Sequence, residues 1–264
     1  MAVRLTFASI WKIAALTALI APLVPIQMAA VRFGWGFAGP LACTVMRIGL
    51  RILRVHVTVE GAPDRDRPLL LVSNHVSWLD IPVIGALMPL SFVAKREVST
   101  WPIFGLLAKL KRCVFIDRDR RHLTGAANSA IAERLIAGDA IVLFPEGTTS
   151  DGLRVLPFRS ALLGAAKAAF GRSETPVRVQ PFGIAYRRRD GLPIGRVAMS
   201  EIAWTGDEDL LPHLIGILNG GPIDVALRFG PARPFTAETD RKALAGDLER
   251  EVRRLTKAAD VSVA

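Results

Sequence analysis

His75 and Asp80 have the residue types and the spacing that proton-transfer chemistry requires. An imidazole close to its ordinary pKa can take a proton from a hydroxyl group. A carboxylate on the other ring nitrogen would fix the tautomer and stabilise the imidazolium ion. Five positions on one regular helix place two side chains about 140° apart, so the two residues meet only if His75 lies in a loop before a helix that contains Asp80. The spacing therefore predicts a dyad that activates a substrate hydroxyl, with a purely structural histidine as the alternative.

Two polar loops follow the two most apolar short segments of the chain. Residues 73–80, which contain the predicted dyad, follow 69–72, and residues 145–152 follow 140–144. In parallel sheets, ligands bind where loops leave the carboxyl ends of the strands. We therefore expect these two loops to line one site.

The chain beyond Glu60 alternates between strand-like and helix-like segments. Strands separated by helices of about 10–15 residues are typical of α/β proteins, in which helices cover both faces of a largely parallel sheet. The expected fold is therefore such a sheet, preceded by an N-terminal membrane-associated segment of two hydrophobic helices. We predict strands at 55–59, 68–72, 91–94, 114–116, 140–144, 177–186 and 223–229, and helices at 81–87, 101–111, 123–137, 160–170 and 237–258.

The net charge of +10 is concentrated near the N-terminus. Residues 1–59 contain six of the 34 basic residues and no acidic residue, whereas the remaining part of the chain is almost balanced. At 51% hydrophobic residues the chain is too apolar to be disordered. We therefore divide it into a basic, hydrophobic membrane anchor at 1–54 and a catalytic domain at 55–264.

Residues 13–31 are uncharged, and a second uncharged run follows at 33–46. The length of the first run is close to the roughly 20 residues that span a bilayer, but Pro22 and Pro25 would kink such a helix. A helix–turn–helix lying in one leaflet, with its arginines among anionic head groups, fits the charge and the prolines best. A transmembrane helix, a signal peptide and a buried helix pair are the alternatives.

Several other classes of function lack their sequence signals. The Gly-x-Ser-x-Gly pentapeptide of serine hydrolases does not occur, and the four histidines and two cysteines show no zinc-type spacing. Nucleic acid is not an expected partner, because the chain has no motif for it and its few aromatic residues are not interleaved with the basic ones.

Two short motifs occur in order along the chain. Asn74-His75 with Asp80 forms the first motif, and Phe144-Pro145-Glu146-Gly147-Thr148 forms the second, about 70 positions later. This arrangement resembles the glycerolipid acyltransferase family, which includes the 1-acylglycerol-3-phosphate acyltransferases. Three further stretches match other blocks of that family, and the resemblance extends over about residues 50–230. These stretches are 92–95, 115–118 and 179–183.

The resemblance implies a role for each matching residue. His75 would be the general base and Asp80 its orienting carboxylate, without an acyl-enzyme. Acyl-carrier-protein or coenzyme A thioesters would be the donors, no metal or cofactor would be needed, and the catalytic domain would face the cytoplasm at the inner membrane. The acceptor, a lysolipid, would be held by residues that bind its polar group or add positive charge. These are Arg118, Glu146, Gly147, Thr148 and Lys95.

Two departures from the family pattern affect the expected acceptor. Arg112 stands where the second block often has glycine, and Thr149 stands where the third block often has arginine. We expect 1-acylglycerol-3-phosphate as the acceptor, and the missing arginine makes a lyso-ornithine lipid the alternative. Arg118, Lys95 or Arg154 could supply the missing charge. Backbone N–H groups around Gly147 could bind an anion, although a glycine there could also serve only a tight turn. A non-catalytic membrane-binding module is the remote alternative.

Overall fold

The computed structural model describes residues 4–116, 124–205 and 208–257. Within these ranges nine strands form one sheet, and helices pack on both of its faces. The strands are β1 (Val55–Glu60), β2 (Leu69–Val72), β3 (Ser91–Lys95), β4 (Val114–Ile116), β5 (Ala140–Leu143), β6 (Val177–Arg189), β7 (Leu192–Pro193), β8 (Ile223–Phe229) and β9 (Arg233–Phe235). The helices are α1 (Phe7–Ile20), α2 (Leu23–Arg32), α3 (Ala38–Leu53), α4 (Asp80–Gly85), α5 (Phe104–Leu110), α6 (Thr124–Ile136), α7 (Gly164–Ser173), α8 (Arg196–Ser200), α9 (Leu210–Asn219) and α10 (Arg241–Lys257).

The main strand order is β1-β8-β6-β2-β5-β3-β4, and the five strands from β6 to β4 run parallel to one another. At the other side, β8 is antiparallel to β6 and β1 is parallel to β8, while β7 and β9 pair antiparallel with β6. The predicted α/β fold with a largely parallel sheet is confirmed. The carboxyl ends of β2, β5, β3 and β4 all lie at the same edge of the sheet.

Helices bury both faces of the central strands. In β2, Leu69 and Leu71 belong to a core that α3, α4 and α9 cover, whereas Leu70 and Val72 face a second core under α6, α7 and α10. A strand buried on both faces must be apolar at every position, which is why 69–72 and 140–143 read as unbroken apolar runs. These two strands form the rigid centre from which the site loops extend.

The N-terminal segment contains a bent pair of hydrophobic helices, α1 and α2, followed by a third helix, α3. Pro22 precedes α2 and Pro25 lies in its first turn, where a missing backbone N–H costs least. No single described helix is long and apolar enough to cross a membrane; α1 and α2 together pass that test, but they are bent by 40° at the break between them. The third helix, α3, carries Leu50 and Leu53 into the core beside β1. The division at residue 54 therefore falls at a helix end and not at a gap in the packing.

A buried lysine attaches α1 to the rest of the protein. Lys12 Nζ donates to Leu218 O at 2.9 Å and to Gly220 O at 2.8 Å, at the carboxyl end of α9. Carbonyl groups at that end lack partners within the helix and favour a cation. Thr6 adds a hydrogen bond to Asn219 at the same place. Lys12, the only charged residue inside α1, therefore serves to attach this helix to the end of α9.

Candidate active site

The loop after β2 begins with an asparagine that is bonded to the neighbouring strand. Asn74 Nδ2 donates to Ile184 O, and Ile184 N donates to Asn74 Oδ1, both at 3.0 Å. The buried side-chain amide therefore extends the parallel pairing of β2 with β6 beyond Val72. These two hydrogen bonds fix Asn74 against β6. They therefore also fix the position of His75, the residue that follows Asn74 in the chain.

Asp80 is the first residue of α4, as the predicted loop-and-helix arrangement requires, and it has no exposed surface. Its Oδ2 accepts three hydrogen bonds: from His75 Nδ1 at 2.7 Å, from Val76 N at 2.8 Å and from Ser77 N at 3.1 Å. Burying a carboxylate is costly unless donors surround it. These donors, together with the positive end of α4, hold the carboxylate against the imidazole ring.

His75 is held by its backbone and by its ring face, and one ring nitrogen stays available. Ser150 donates to His75 O from N at 2.8 Å and from Oγ at 3.1 Å. The imidazole stacks on Phe144, with 4.0 Å between ring centroids. With Nδ1–H donated to Asp80, the neutral ring has its lone pair on Nε2, and no residue in the described ranges binds that atom. The arrangement can accept a proton at Nε2.

Tyr186, the single tyrosine of the chain, completes the surroundings of Asp80, and no motif in the sequence predicts its role. Its hydroxyl donates to Asp80 Oδ1 at 2.7 Å. Burial, followed by the nearby charge of Asp80, raises the pKa of Tyr186 well above its usual value, so the hydroxyl remains a donor. The two residues are 106 positions apart, and only the β2–β6 pairing brings them together.

The second site loop, after β5, places Glu146 almost completely out of solvent. Oε1 accepts a hydrogen bond from Leu156 N at 3.3 Å, whereas Oε2 has no partner among the described residues. Desolvation raises the pKa of Glu146 to about 8, and the charge of Asp80 adds to this; the backbone of Leu156 and of His75 and the charge of Arg253 lower it. At neutral pH this carboxyl group is therefore mostly uncharged.

Gly147 turns the same loop in the left-handed region, at φ 76°, which favours glycine. Its N–H donates to Phe144 O at 3.1 Å, so this particular donor is used by the turn and is not free to bind an anion. Thr148 follows at the exposed tip of the loop. The structure thus gives Gly147 the tight-turn role that the sequence left open.

The structure describes some of the basic residues that the sequence singles out. Lys95 is the last residue of β3, at the sheet edge where the site loops begin, and its Nζ lies 4.0 Å from Glu97 Oε2. Arg118 lies outside the described residues. Arg112 adopts φ 58°, which explains why glycine is common at that position. A further cation near this loop, which the sequence did not single out, is Arg159, whose guanidinium packs on Gly147.

A histidine without an evident partner in the sequence also has a place near the first loop. His213 Nδ1 accepts a hydrogen bond from Trp78 Nε1 at 3.0 Å, and its Nε2 bonds to Ala203 O at 3.1 Å. Trp78 lies between the two dyad residues in sequence, so α9 supports the loop that carries them. Since both His213 nitrogens are occupied, we assign it a structural role.

Comparisons with known proteins agree with the motifs. A sequence model of the family described as Acyltransferase matches residues 54–185. A lyso-ornithine lipid O-acyltransferase of Brucella abortus is 49% identical over 94% of this chain and 93% of its own length. One of Rhizobium meliloti is 43% identical over 79% of this chain and 72% of its own. A 1-acyl-sn-glycerol-3-phosphate acyltransferase of Neisseria gonorrhoeae is 30% identical, over 85% and 82%.

A solved structure has the same fold. The crystal structure of the 1-acyl-sn-glycerophosphate (LPA) acyltransferase PlsC from Thermotoga maritima aligns with a TM-score of 0.58, at 22% sequence identity. The alignment covers 94% of this chain and 97% of that one. The three-helix N-terminal segment and the sheet are thus compared over nearly their whole length.

Proposed function

The chain belongs to the acyltransferase family, and on that premise we propose that it moves a fatty acyl group from an acyl thioester to the free hydroxyl of a lyso-ornithine lipid. That it is an acyltransferase acting on lysolipids follows from the family and its relatives. The observation that carries the mechanism is the His75–Asp80 pair, in which Asp80 is buried and His75 Nε2 has no bond to any residue that the structure describes.

In the proposed reaction, Nε2 of His75 takes the proton of the acceptor hydroxyl as its oxygen attacks the thioester carbonyl carbon. The new C–O bond forms and the carbonyl electrons move to oxygen, giving a tetrahedral oxyanion. When the carbonyl reforms, the C–S bond breaks, and the thiolate leaves with the proton from the imidazolium. No acyl-enzyme is required, and the base returns to its starting state.

Asp80 supports this cycle by its position and its charge. Its hydrogen bond to Nδ1 keeps the lone pair on Nε2, and its negative charge stabilises the imidazolium that forms during the attack. Both effects are greatest in the transition state, so they raise turnover more than they raise affinity.

The choice of acceptor rests on the relatives and on one missing residue. Three relatives at 49%, 43% and 39% identity are named lyso-ornithine lipid O-acyltransferases. Thr149 occupies the position at which the resemblance leads us to expect arginine. Lysophosphatidate is the second candidate, because the Neisseria relatives that carry the phosphatidate-forming name are 30% identical.

We propose that the N-terminal helices lie in one leaflet at the cytoplasmic face of the inner membrane, where the acyl thioesters are found. Large apolar side chains are exposed along α1 and at the turn between α2 and α3. Aromatic side chains of this kind favour the membrane interface. The exposed set is Phe7, Ile10, Trp11, Phe33, Trp35 and Phe37.

The function is tested with purified full-length protein in lipid nanodiscs. The acceptors are lyso-ornithine lipid, lysophosphatidate and lysophosphatidylethanolamine, each offered with acyl-carrier-protein and coenzyme A thioesters. We expect lyso-ornithine lipid to give the highest kcat/KM, and Asp80→Asn to lower kcat roughly a hundred-fold or more while changing KM little.

Transfer to lysophosphatidate alone would overturn the proposed acceptor but keep the mechanism. A His75→Ala or Asp80→Asn protein with normal turnover would overturn the mechanism. A folded, membrane-bound wild-type protein that acylates none of the lysolipids would favour the non-catalytic binding module.

A further inference from the structure

Arg159 is fixed beside the loop that follows β5 by hydrogen bonds of the backbone. Arg159 N donates to Pro145 O at 2.9 Å, and Phe158 N donates to Glu249 Oε2 on α10 at 2.8 Å. With the contact of Leu156 N to Glu146, the segment 156–159 runs along the loop and is tied to it at both ends. The arginine therefore enters the site region from a position that α10 and β5 both hold.

The guanidinium of Arg159 lies flat against Gly147. A Cβ placed on that glycine would be 3.2 Å from Arg159 Cζ and Nε and 3.3 Å from Nη1. Glycine at this position thus serves two purposes, since it allows the positive φ and leaves room for the guanidinium. The contact places a cation next to the loop in which Thr149 stands in place of an arginine.

The positive charge of Arg159 has no acidic partner in the part of the chain that the structure describes. Among the described residues it has no ion pair or side-chain hydrogen bond, and its side chain is exposed. The nearby acids have other roles: Glu249 pairs with Arg253 at 2.7 Å, and Glu146 is buried and has a raised pKa. An exposed, unpaired guanidinium at the carboxyl edge of the sheet is available to a ligand.

We propose that Arg159 binds the anionic group of the acceptor lipid and takes over the role of the arginine that Thr149 replaces. The inference rests on the proposed function. A guanidinium can bind two oxygens of a carboxylate or of a phosphate at once. The carboxylate of an ornithine head group and the phosphate of lysophosphatidate both meet this requirement, so the residue would recognise either anion.

The test removes the charge from each partner in turn. Wild type, Arg159→Gln and Arg159→Lys are assayed in nanodiscs with lyso-ornithine lipid, with its carboxyl methyl ester and with lysophosphatidate. Arg172→Gln is the matched control, because it removes an exposed guanidinium from the last turn of α7. We expect Arg159→Gln to lower kcat/KM for the free carboxylate roughly ten- to hundred-fold, mainly through KM.

The methyl ester separates anion binding from a structural effect. It should be a poor substrate for wild type, and Arg159→Gln should change its kcat/KM less than about two-fold, because the interaction is already absent. Arg159→Lys should recover part of the loss, since lysine keeps the charge but not the two-point geometry. A parallel loss with lysophosphatidate would show that the site reads either anion; a loss with one acceptor only would identify its anion as the one that is bound.

Three results would overturn the inference: an equal loss with the acid and the methyl ester, unchanged kinetics in Arg159→Gln, or an equal loss in Arg172→Gln. None of them would affect the proposed acyl transfer, which fails only if the wild-type protein acylates no lysolipid.

Discussion

Two histidine–aspartate pairs occur among the residues that the structure describes, and only one of them has the surroundings of a catalytic base. His75 Nδ1 and Asp80 Oδ2 are 2.7 Å apart, with side-chain exposures of 14% and 0%. His56 Nδ1 and Asp224 Oδ1 are 2.9 Å apart, with exposures of 69% and 37%. The hydrogen bond is nearly the same in both, so the bond itself does not distinguish them.

The difference lies in what surrounds each carboxylate. Asp80 accepts hydrogen bonds from two backbone amides and from Tyr186 in addition to the imidazole. Asp224 bonds only to His56 among the residues that the structure describes, and the two face each other across β1 and β8. In a dry environment the electrostatic interaction of carboxylate and imidazolium is much stronger than in water. A catalytic pair therefore needs a fixed, buried acid and a base that has one free nitrogen beside a substrate loop.

The largest expected difference between the pairs is in catalysis. His75→Ala should lower kcat roughly a thousand-fold, in the range expected for loss of a general base. His56→Ala, the matched control, should stay within about two-fold of wild type because that exposed pair contributes little. Steady-state acyl transfer checks both variants, and thermal unfolding establishes that they are folded. Equal losses of kcat in the two variants would contradict the assignment of the general base to the buried pair.

A second expected difference concerns Glu146, which lies near the buried pair and makes the stability of the protein depend on pH. Desolvation raises the pKa of Glu146 to about 8 in the folded protein, from 4.5. The folded state therefore holds this proton in a range where the unfolded state has lost it. The contribution of the protonated Glu146 to the free energy of unfolding is fully present below about pH 4.5 and is lost as the pH rises through about 8.

Glu146→Gln removes that titration and keeps the shape of the side chain. We expect the free energy of unfolding of wild type to fall relative to the variant by roughly 4 kcal/mol between pH 5 and pH 9. Urea denaturation of both proteins across that range measures the difference. Asp224→Asn, at the exposed pair, serves as the reference. Parallel curves for wild type and Glu146→Gln would contradict a raised pKa.

Tyr186→Phe removes one donor from Asp80 and makes its surroundings more like those of Asp224. Without that hydrogen bond, Asp80 Oδ1 keeps more negative charge, which favours the imidazolium form of His75. We expect the acid limb of the pH profile of kcat/KM to move to higher pH, with a loss of roughly ten-fold below the wild-type limb. The loss should shrink at higher pH, whereas a purely structural defect would lower activity equally at every pH.

Local spacing was sufficient to predict the central pair and the largely parallel sheet. His75 and Asp80 are five positions apart, and the loop that holds them follows a strand whose unbroken apolar run is visible in the sequence. The Glu146 loop was identified for the same reason. Such features depend on neighbours in the chain, so the amino-acid pattern records them directly.

The residues that the sequence did not reveal depend on contacts between distant segments. Tyr186 reaches Asp80 across 106 positions, and His56 reaches Asp224 across 168. The sequence around Arg159 does not distinguish it from other surface arginines, and its contact with Gly147 is evident only in the structure. Leu50 and Leu53 of α3 pack into the core, and the uncharged runs at 13–31 and 33–46 do not reveal that contact. Register and packing decide these features.

The smallest expected effect belongs to the exposed pair itself. Asp224→Asn should change the free energy of unfolding by less than about 0.5 kcal/mol, because solvent screens the attraction and both side chains lose entropy when they pair. Asp80→Asn removes a buried acceptor of several hydrogen bonds, and we expect it to cost about 1–3 kcal/mol. Urea denaturation at neutral pH measures both variants. If Asp224→Asn were as destabilising as Asp80→Asn, exposure would not be the property that separates the two pairs. The explanation would then have to come from the hydrogen bond alone, which is nearly identical in both.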